Sequence, residues 1–375
     1  MRNIPKKAGF LDYSSCNARC NHCNRGALNG LEDNISNEKV LENIEILKSR
    51  GIVKFNFSGG EPTLNPNLDK FIECASEENE KGNKRSVGIS TNGSWGDKAE
   101  EVLARYHKIG VSRVGLSIDG TEKTHDSIRG FPGLYSKVKN IIETAILYRE
   151  KNILTPYIHI NVTAQPRNVD ELEGIAREFT EKGFHVSITF VTRYGRGWNL
   201  GLSEEQVGKI REVRRYLEER GVNIDPEVDL NRLYKYSFDE FKKRPKCARY
   251  EKGFERVLLS SDGGVFLCSH FFTPYAVILG NVKEKRLDLI LDDFKKGDKK
   301  DFYWLFIDPS GEGEKRKFLE ELETGRYEGI RWSKKCIPCS ILSSFVYFRK
   351  QGYNIDEAND LTENIAKGEK IPKKL

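Results

Sequence analysis

Residues 14–26 read Ser-Ser-Cys-Asn-Ala-Arg-Cys-Asn-His-Cys-Asn-Arg-Gly and contain three closely spaced cysteines. Three residues separate Cys16 from Cys20 and two separate Cys20 from Cys23, so one short loop carries three thiols. Three soft thiolates suit an iron–sulfur cluster, and on a cubic 4Fe–4S cluster they leave one iron without a protein ligand. We therefore predict a cluster at this loop whose open iron binds a substrate or a cofactor.

Two other uses of these cysteines are a zinc site and a set of buried free thiols. Structural zinc usually takes four ligands in paired spacings. No fourth cysteine and no suitably spaced histidine pair lies near the loop, although His22 lies within it. The spacing therefore favours the iron–sulfur cluster over zinc.

Short apolar or β-branched runs alternate with longer amphipathic segments as far as residue 191, which is typical of βα repeats. Strands are predicted at 9–13, 53–58, 86–91, 111–118, 157–163 and 185–191, and helices at 37–49, 67–78, 97–109, 134–150 and 169–182. Because hairpin signals are missing between these units, we expect an α/β fold with parallel strands, either an open sheet or a partial barrel. In both cases the site lies at the carboxyl ends of the strands.

The composition bounds the class of protein. Among 375 residues, 38% are hydrophobic and 31% are charged, and the net charge is only +6, which indicates a globular chain and gives no sign of nucleic-acid binding. The sequence has no membrane-spanning run and no export signal, so we expect a cytoplasmic protein without membrane contact. Eight cysteines then indicate metal ligation or redox chemistry, because disulfides seldom persist in the cytosol.

The cysteine spacing after a first strand resembles the radical S-adenosylmethionine (SAM) superfamily. Gly59-Gly60-Glu61-Pro62 after the second strand resembles the GGEP motif of that family, in which backbone groups of the paired glycines contact SAM. The resemblance implies a partial (β/α)6 TIM-like barrel. It also implies that the open iron chelates SAM and that an electron cleaves SAM to a 5′-deoxyadenosyl radical, which abstracts a substrate hydrogen.

Further SAM contacts are predicted along the same rim of the sheet. They are the polar residues that end the third and fourth strands, an arginine after the fourth strand and two residues of the fifth strand: Ser90, Asn92, Ser117, Asp119, Arg129, Asn161 and Thr163. The alternative for the first group is ordinary turn chemistry, since Asn-Gly and Asp-Gly are common turn formers. The alternative for Arg129 is a surface salt bridge.

A second cysteine set lies in the last third of the chain: Cys247, Cys268, Cys336 and Cys339. Asp262-Gly263 predicts a β-hairpin between the first two. This arrangement resembles twitch, a shortened SPASM domain, and implies a fully ligated auxiliary 4Fe–4S cluster. A zinc ribbon is the alternative. Cys74 alone on a predicted helix is interpreted as a small buried hydrophobe.

The predicted domains are a barrel at 1–200, a helical linker at 201–246, the twitch-like domain at 247–345 with an inserted loop, and a tail at 346–375. The resemblance implies oxidation, crosslinking or epimerisation of a ribosomal peptide or a small molecule, with ferredoxin or flavodoxin as reductant. A separate leader-peptide-binding protein is a further expected partner. The alternatives are a dehydrogenase of sugars or alcohols and, in another class, a non-catalytic iron–sulfur protein for electron transfer or redox sensing. No residue is assigned as catalytic acid, base or hydrogen donor.

Overall fold

The computed structural model describes residues 6–13, 15–23, 34–79, 81–191, 195–197, 199–220, 256–267, 279–296, 345, 349 and 352–367. Cys247, Cys268, Cys336 and Cys339, together with residues 192–194, lie outside the described residues.

Nine strands of the described chain form one sheet in the order β6-β5-β4-β3-β2-β1-β7-β8-β9. Their bounds are β1 Lys7–Tyr13, β2 Lys54–Gly59, β3 Ser86–Thr91, β4 Val111–Ser117, β5 Tyr157–Ala164, β6 His185–Phe190, β7 Val257–Ser260, β8 Gly264–Phe266 and β9 Gly280–Asn281. Strands β1 to β7 run parallel, and β8 and β9 join antiparallel at one edge. All carboxyl ends of the parallel strands therefore meet at one rim.

Helices follow the strands. Within the described residues they are α1 Asn37–Ser49, α2 Leu68–Ser76, α3 Ala99–Lys108, α4 Glu122–Arg129, α5 Leu134–Glu150, α6 Leu172–Glu181, α7 Glu204–Glu219, α8 Leu287–Lys296 and α9 Ile355–Lys367. None of the described helices is long and apolar enough to cross a lipid bilayer.

The two faces of the sheet differ in polarity. One face is apolar: the rings of Phe10 and Phe57 stack with centroids 5.4 Å apart, and both side chains are buried against helices that contribute Leu47 and Phe71. The opposite face, called the inner face below, carries half-buried polar side chains at alternate positions, such as His159, Asn161 and Thr163 of β5. Alternation along each strand, with period two, thus assigns the core to one side and leaves a polar hollow on the other.

The predicted parallel α/β sheet is confirmed, and the six predicted strands and five predicted helices all form. Three segments differ from expectation. Helix α4 was not predicted because its eight residues, Glu122–Arg129, are mostly charged or polar. The predicted insertion contains α8, and the predicted tail contains α9.

The predicted hairpin around Gly263 forms as β7 and β8, and Gly263 takes a φ of +91°. Strand β7 pairs parallel with β1. The hairpin is therefore an extension of the main sheet, whereas the sequence alone suggested a separate module. The proposed domain division remains a prediction, since residues 221–255 lie outside the described part.

Candidate active site at the carboxyl ends of the strands

The three-cysteine loop follows β1 and is held from several sides by backbone hydrogen bonds. The amides of Arg19 and Asn21 donate to the carbonyls of Arg129 and Ile128, each at 2.9 Å, which fixes the loop to the end of α4. The Glu61 amide donates to the Ser15 carbonyl at 2.9 Å. A loop held at the first cysteine and around the second has its thiols placed before any ligand binds.

A further backbone bond holds the end of the loop, because the Arg196 amide donates to the Cys23 carbonyl at 3.1 Å. The turn that contains Arg196 follows β6, so the end of the loop is tied to the far side of the same rim. Residues from the ends of β1, β2, α4 and β6 thus meet around the three thiols.

The buried thiols of the loop need a positively charged group beside them to ionise. Burial raises the pKa of the Cys16 thiol to about 11 and also raises the pKa of Cys20 above its ordinary value. A buried thiolate needs a compensating positive charge, and an iron cluster provides one. Among the described residues, no three His, Cys, Asp or Glu side chains are arranged to share one metal ion. Three thiols on one loop suit a cluster in which each sulfur binds a different iron.

Glu61 occupies the centre of the rim, with its side chain buried at 1% exposure. Its Oε1 accepts from the hydroxyls of Thr63 at 2.7 Å and Thr91 at 2.6 Å, and its Oε2 accepts from the Asn92 amide at 2.7 Å. Burial raises the pKa of Glu61, and these donors oppose that effect. The carboxylate therefore holds the Gly59–Pro62 segment to the end of β3.

Asn92 connects the same network to the cysteine loop. Its Nδ2 donates to Asn17 Oδ1 at 2.8 Å, and Asn17 Nδ2 donates to Ser94 Oγ at 2.9 Å. Asn17 lies between Cys16 and Cys20, so the loop, the Glu61 segment and the β3 turn form one hydrogen-bonded unit. Sequence reasoning did not assign Asn17, Thr63 or Thr91 to the site. The position of Thr91 at the end of a strand is the one sequence feature that could have indicated its place in the site.

Asp119 and Arg129 form a buried ion pair, with Nη2 2.7 Å from Oδ2. Arg129 Nη1 also donates to Cys20 Sγ at 3.8 Å. Burial alone would raise the pKa of Asp119, but the Arg129 guanidinium and the other polar partners hold it below its usual value. Of the two interpretations of Arg129, the surface salt bridge is excluded by its 8% exposure.

Asp119 is also the hub for the ends of β4 and β5. Its Oδ1 accepts from the Thr163 amide at 2.8 Å, and its amide donates to His125 Nδ1 at 3.0 Å. Asn168 Nδ2 donates to the carbonyls of Asp119 and Thr163, each at 2.9 Å. Sequence reasoning did not identify Asn168, whose only signal was its place in the turn after β5.

His22 lies directly before the third cysteine of the loop. Gln165 Nε2 lies 3.2 Å from His22 Nδ1, and His22 Nε2 lies 3.8 Å from Asp119 Oδ2. Burial lowers the pKa of His22 to about 4. The ring is therefore neutral at pH 7 and presents a flat surface beside the cysteines.

The remaining predicted contacts lie on the inner face just below the rim. Ser90 Oγ accepts from Asn56 Nδ2 at 3.3 Å, and Ser117 pairs in register with Asn161 across β4 and β5. The structure thus brings Gly59 to Pro62, Ser90, Asn92, Ser117, Asp119, Arg129, Asn161 and Thr163 to one edge of the sheet with Cys16, Cys20 and Cys23. Their contact with a cofactor stays a prediction.

The family model described as the radical SAM superfamily matches residues 11–179. Fe-coproporphyrin III synthase of Methanosarcina barkeri is 30% identical over 303 aligned residues, which cover 74% of this chain and 71% of that protein. The chain belongs to the radical SAM superfamily and is an enzyme of that class.

More distant relatives support the same assignment. The subtilosin biosynthesis protein AlbA of Bacillus subtilis is 24% identical over 74% of this chain, and the chain spans 58% of AlbA. The crystal structure of Streptococcus suis SuiB bound to S-adenosylmethionine matches with a TM-score of 0.57 at 17% identity, over 78% of this chain and 66% of SuiB. The predicted partial barrel is confirmed by this likeness of fold.

Proposed function

We propose that the chain binds a 4Fe–4S cluster on Cys16, Cys20 and Cys23 and SAM beside it, and removes a hydrogen atom from a substrate held in the hollow of the sheet. The observation that carries this proposal is the hydrogen-bonded unit in which Asn17, inside the cysteine loop, joins Asn92, which in turn donates to Glu61. When bound, the cluster and SAM would supply the radical chemistry, in which one electron from an external reductant cleaves SAM to methionine and a 5′-deoxyadenosyl radical.

The chain's own residues would position these groups. The Gly59–Gly60 backbone, held by Glu61, offers carbonyls that accept from the SAM ammonium group. Arg129, 2.7 Å from Asp119, brings a positive charge beside the Cys20 sulfur, which favours a thiolate there. The neutral His22 ring supplies a flat contact for adenine. Ser117, Asn161 and Thr163 offer hydroxyl and amide groups to the ribose or the amino-acid part of SAM.

We further propose that Cys247, Cys268, Cys336 and Cys339 ligate an auxiliary 4Fe–4S cluster, with a ferredoxin or a flavodoxin as reductant. The support is the four-cysteine pattern itself, which allows full ligation. Full ligation suits electron transfer because no iron is open to substrate.

Two substrate branches are supported by different relatives. AlbA is named for subtilosin biosynthesis, and SuiB has been crystallised with its precursor peptide SuiA, which favours a peptide substrate. A separate leader-binding protein is a further proposed partner in this branch. The Methanosarcina barkeri relative is named as a synthase of Fe-coproporphyrin III, which favours a small-molecule substrate. In both branches the chemistry at the rim is the same.

The test is anaerobic reconstitution followed by dithionite and SAM, with 5′-deoxyadenosine and methionine measured by chromatography. Both products should form in equal amounts, and the triple change of Cys16, Cys20 and Cys23 to Ala should abolish them. Cys74→Ala is the matched control, because Cys74 lies on α2 away from the loop and should leave product formation intact. Wild-type protein that holds iron but forms no 5′-deoxyadenosine would exclude the proposal and leave an electron-transfer protein.

A further inference from the structure

The inner face of the sheet is basic. Strands β2 to β7 contain no Asp and no Glu. The register places Lys7, Lys54, Arg113, His159 and His185 on the inner face of β1, β2, β4, β5 and β6. Lys7, Lys54 and Arg113 form no ion pair within the part of the chain that the structure describes. All three side chains are exposed near the amino ends of their strands, and positive charge without compensation attracts anions.

Three of these side chains lie on neighbouring strands. His159 and His185 are cross-strand partners whose rings stack with centroids 4.6 Å apart and an interplanar angle of 23°. Arg113 lies on β4, next to β5, and pairs in register with Tyr157. The exposed guanidinium and the two half-buried imidazoles therefore lie near the amino end of the inner face.

Two glycines lie beneath polar side chains of this region. Arg113 Nε and Nη2 both lie 3.6 Å from the point where a Cβ of Gly88 would stand, so the guanidinium lies flat over Gly88. Asn161 Nδ2 lies 2.6 Å from the corresponding point at Gly115, which means that its amide fills the space of the missing side chain. The two glycines therefore let the Arg113 and Asn161 side chains lie close against the sheet.

The pKa of the His159 imidazole depends on its charged and polar neighbours. Burial lowers the pKa of His159 to about 4, with further lowering from His185 and Arg113, while a hydrogen bond to Asn161 opposes the change. His159 is thus neutral at pH 7. An anion beside Arg113 and His159 would favour the protonated imidazole, which Arg113 and His185 disfavour.

We propose that Arg113, His159 and His185 bind an anionic group of the substrate, a carboxylate or a phosphate. The identity of the ligand as substrate rests on the proposed function. His159 precedes Thr163 by four residues, which corresponds to about 13 Å along β5 between this region and the rim. The substrate would then carry its anionic group at about that distance from the C–H bond that reacts.

The binding test uses pyrophosphate and tricarballylate as probes, titrated by calorimetry into reconstituted wild-type protein. At least one probe should bind, and the tighter one distinguishes a phosphate from a carboxylate. Arg113→Gln should weaken binding about tenfold, the effect of losing one charge-assisted hydrogen bond. Arg215→Gln is the matched control, since Arg215 is an exposed arginine on α7, and it should bind as wild type does. Failure of both probes to bind wild type, or equal binding by Arg113→Gln, would overturn the proposal.

A second measurement covers the case in which Arg113→Gln does not fold. The chain contains six histidines, so labelled imidazoles of the holoprotein can be followed individually by NMR, with His159→Gln assigning one signal. The pKa of His159 should rise when the bound probe is present. An unchanged pKa with probe bound would show that the anion lies elsewhere.

The outcomes separate the two proposals. Wild-type protein that cleaves SAM but binds neither probe contradicts only the anion site. Wild-type protein that binds a probe through Arg113 but yields no 5′-deoxyadenosine contradicts only the radical chemistry, and the anion site stands.

Discussion

Arg129 Nη2 lies 2.7 Å from Asp119 Oδ2, while Nη1 of the same guanidinium donates to Cys20 Sγ at 3.8 Å. One buried cation therefore serves both a carboxylate from the end of β4 and a sulfur of the cysteine loop. Removing a buried partner leaves an uncompensated charge, which usually costs about 3–5 kcal/mol. Loss of this arginine should affect both stability and the environment of the cluster.

Arg129→Gln should lower stability by about 3–5 kcal/mol, measured as a fall in Tm of anaerobic protein. Adding Asp119→Asn should restore part of the loss, because the lone charge is then gone. Lys139→Gln is the control: its exposed pair with Glu143 should contribute no more than about 0.5 kcal/mol. If the double variant were less stable than Arg129→Gln, the two side chains would not be coupled in this way.

The same variant should change how stability depends on pH. In the wild type, the pKa of Asp119 is lower in the folded state than in the unfolded state, where it is about 3.9. The ion pair therefore stabilises the folded state fully above about pH 3.9, and this stabilisation is lost as the pH falls through the folded-state pKa. In Arg129→Gln, burial without the cation raises that pKa, so the folded state binds the proton more tightly than the unfolded state. Its Tm should fall as pH rises from 5 to 7.5. A Tm that is flat over this range in the variant would contradict the assignment.

Glu61→Gln should weaken SAM binding without removing the cluster. Gln has one acceptor oxygen where Glu has two, so it cannot accept at once from the Asn92 amide and from the Thr63 and Thr91 hydroxyls, and a buried unsatisfied donor costs about 1–3 kcal/mol. The Gly59–Pro62 segment would then lose its fixed place on β3. Equilibrium dialysis with SAM should show lower affinity at unchanged iron content. Glu100→Gln, an exposed glutamate on α3, should match wild type, and equal SAM affinity in Glu61→Gln would refute the positioning role.

The iron content tests the cysteine assignments. Reconstituted wild-type protein should hold about eight irons, as two 4Fe–4S clusters, and the Cys16, Cys20 and Cys23 triple Ala variant about four. Iron and acid-labile sulfide are measured after removal of unbound metal. A triple variant that keeps all its iron would show that the three thiols are not ligands.

The sequence was sufficient to predict the parallel α/β arrangement and most of the rim, because period-two strands and the residues at strand ends are local signals. Asn37–Ser49, Ser86–Thr91 and Leu134–Glu150 form with the predicted bounds. The pairing of β7 with β1 could not be predicted, since it joins residues about 250 positions apart through Gly9, where a Cβ would stand 2.6 Å from Leu258. The partners of Glu61 were missed for the same reason: Thr91 and Asn92 become its donors only when β2 and β3 are adjacent.

Gly130 provides the sharpest test of how α4 holds the cysteine loop. It ends α4 with φ +56°, and a Cβ there would stand 2.8 Å from the Arg19 carbonyl oxygen. Gly133 has φ +79° but nothing within 4 Å of its Cβ position. Ala at either site strains a left-handed backbone by about 1–2 kcal/mol, whereas only Gly130→Ala pushes on the loop between Cys16 and Cys20.

We therefore expect both variants to have a lowered Tm and only Gly130→Ala to lose its cluster faster under air, followed by the bleaching of the iron–sulfur absorbance. The shared backbone strain cancels in the comparison, so the difference in bleaching rate reports the contact with Arg19 alone. Equal rates in Gly130→Ala and Gly133→Ala would mean that the loop can shift without consequence for the cluster, and the hydrogen bonds from Arg19 and Asn21 to the end of α4 would then be dispensable for holding the thiols in place.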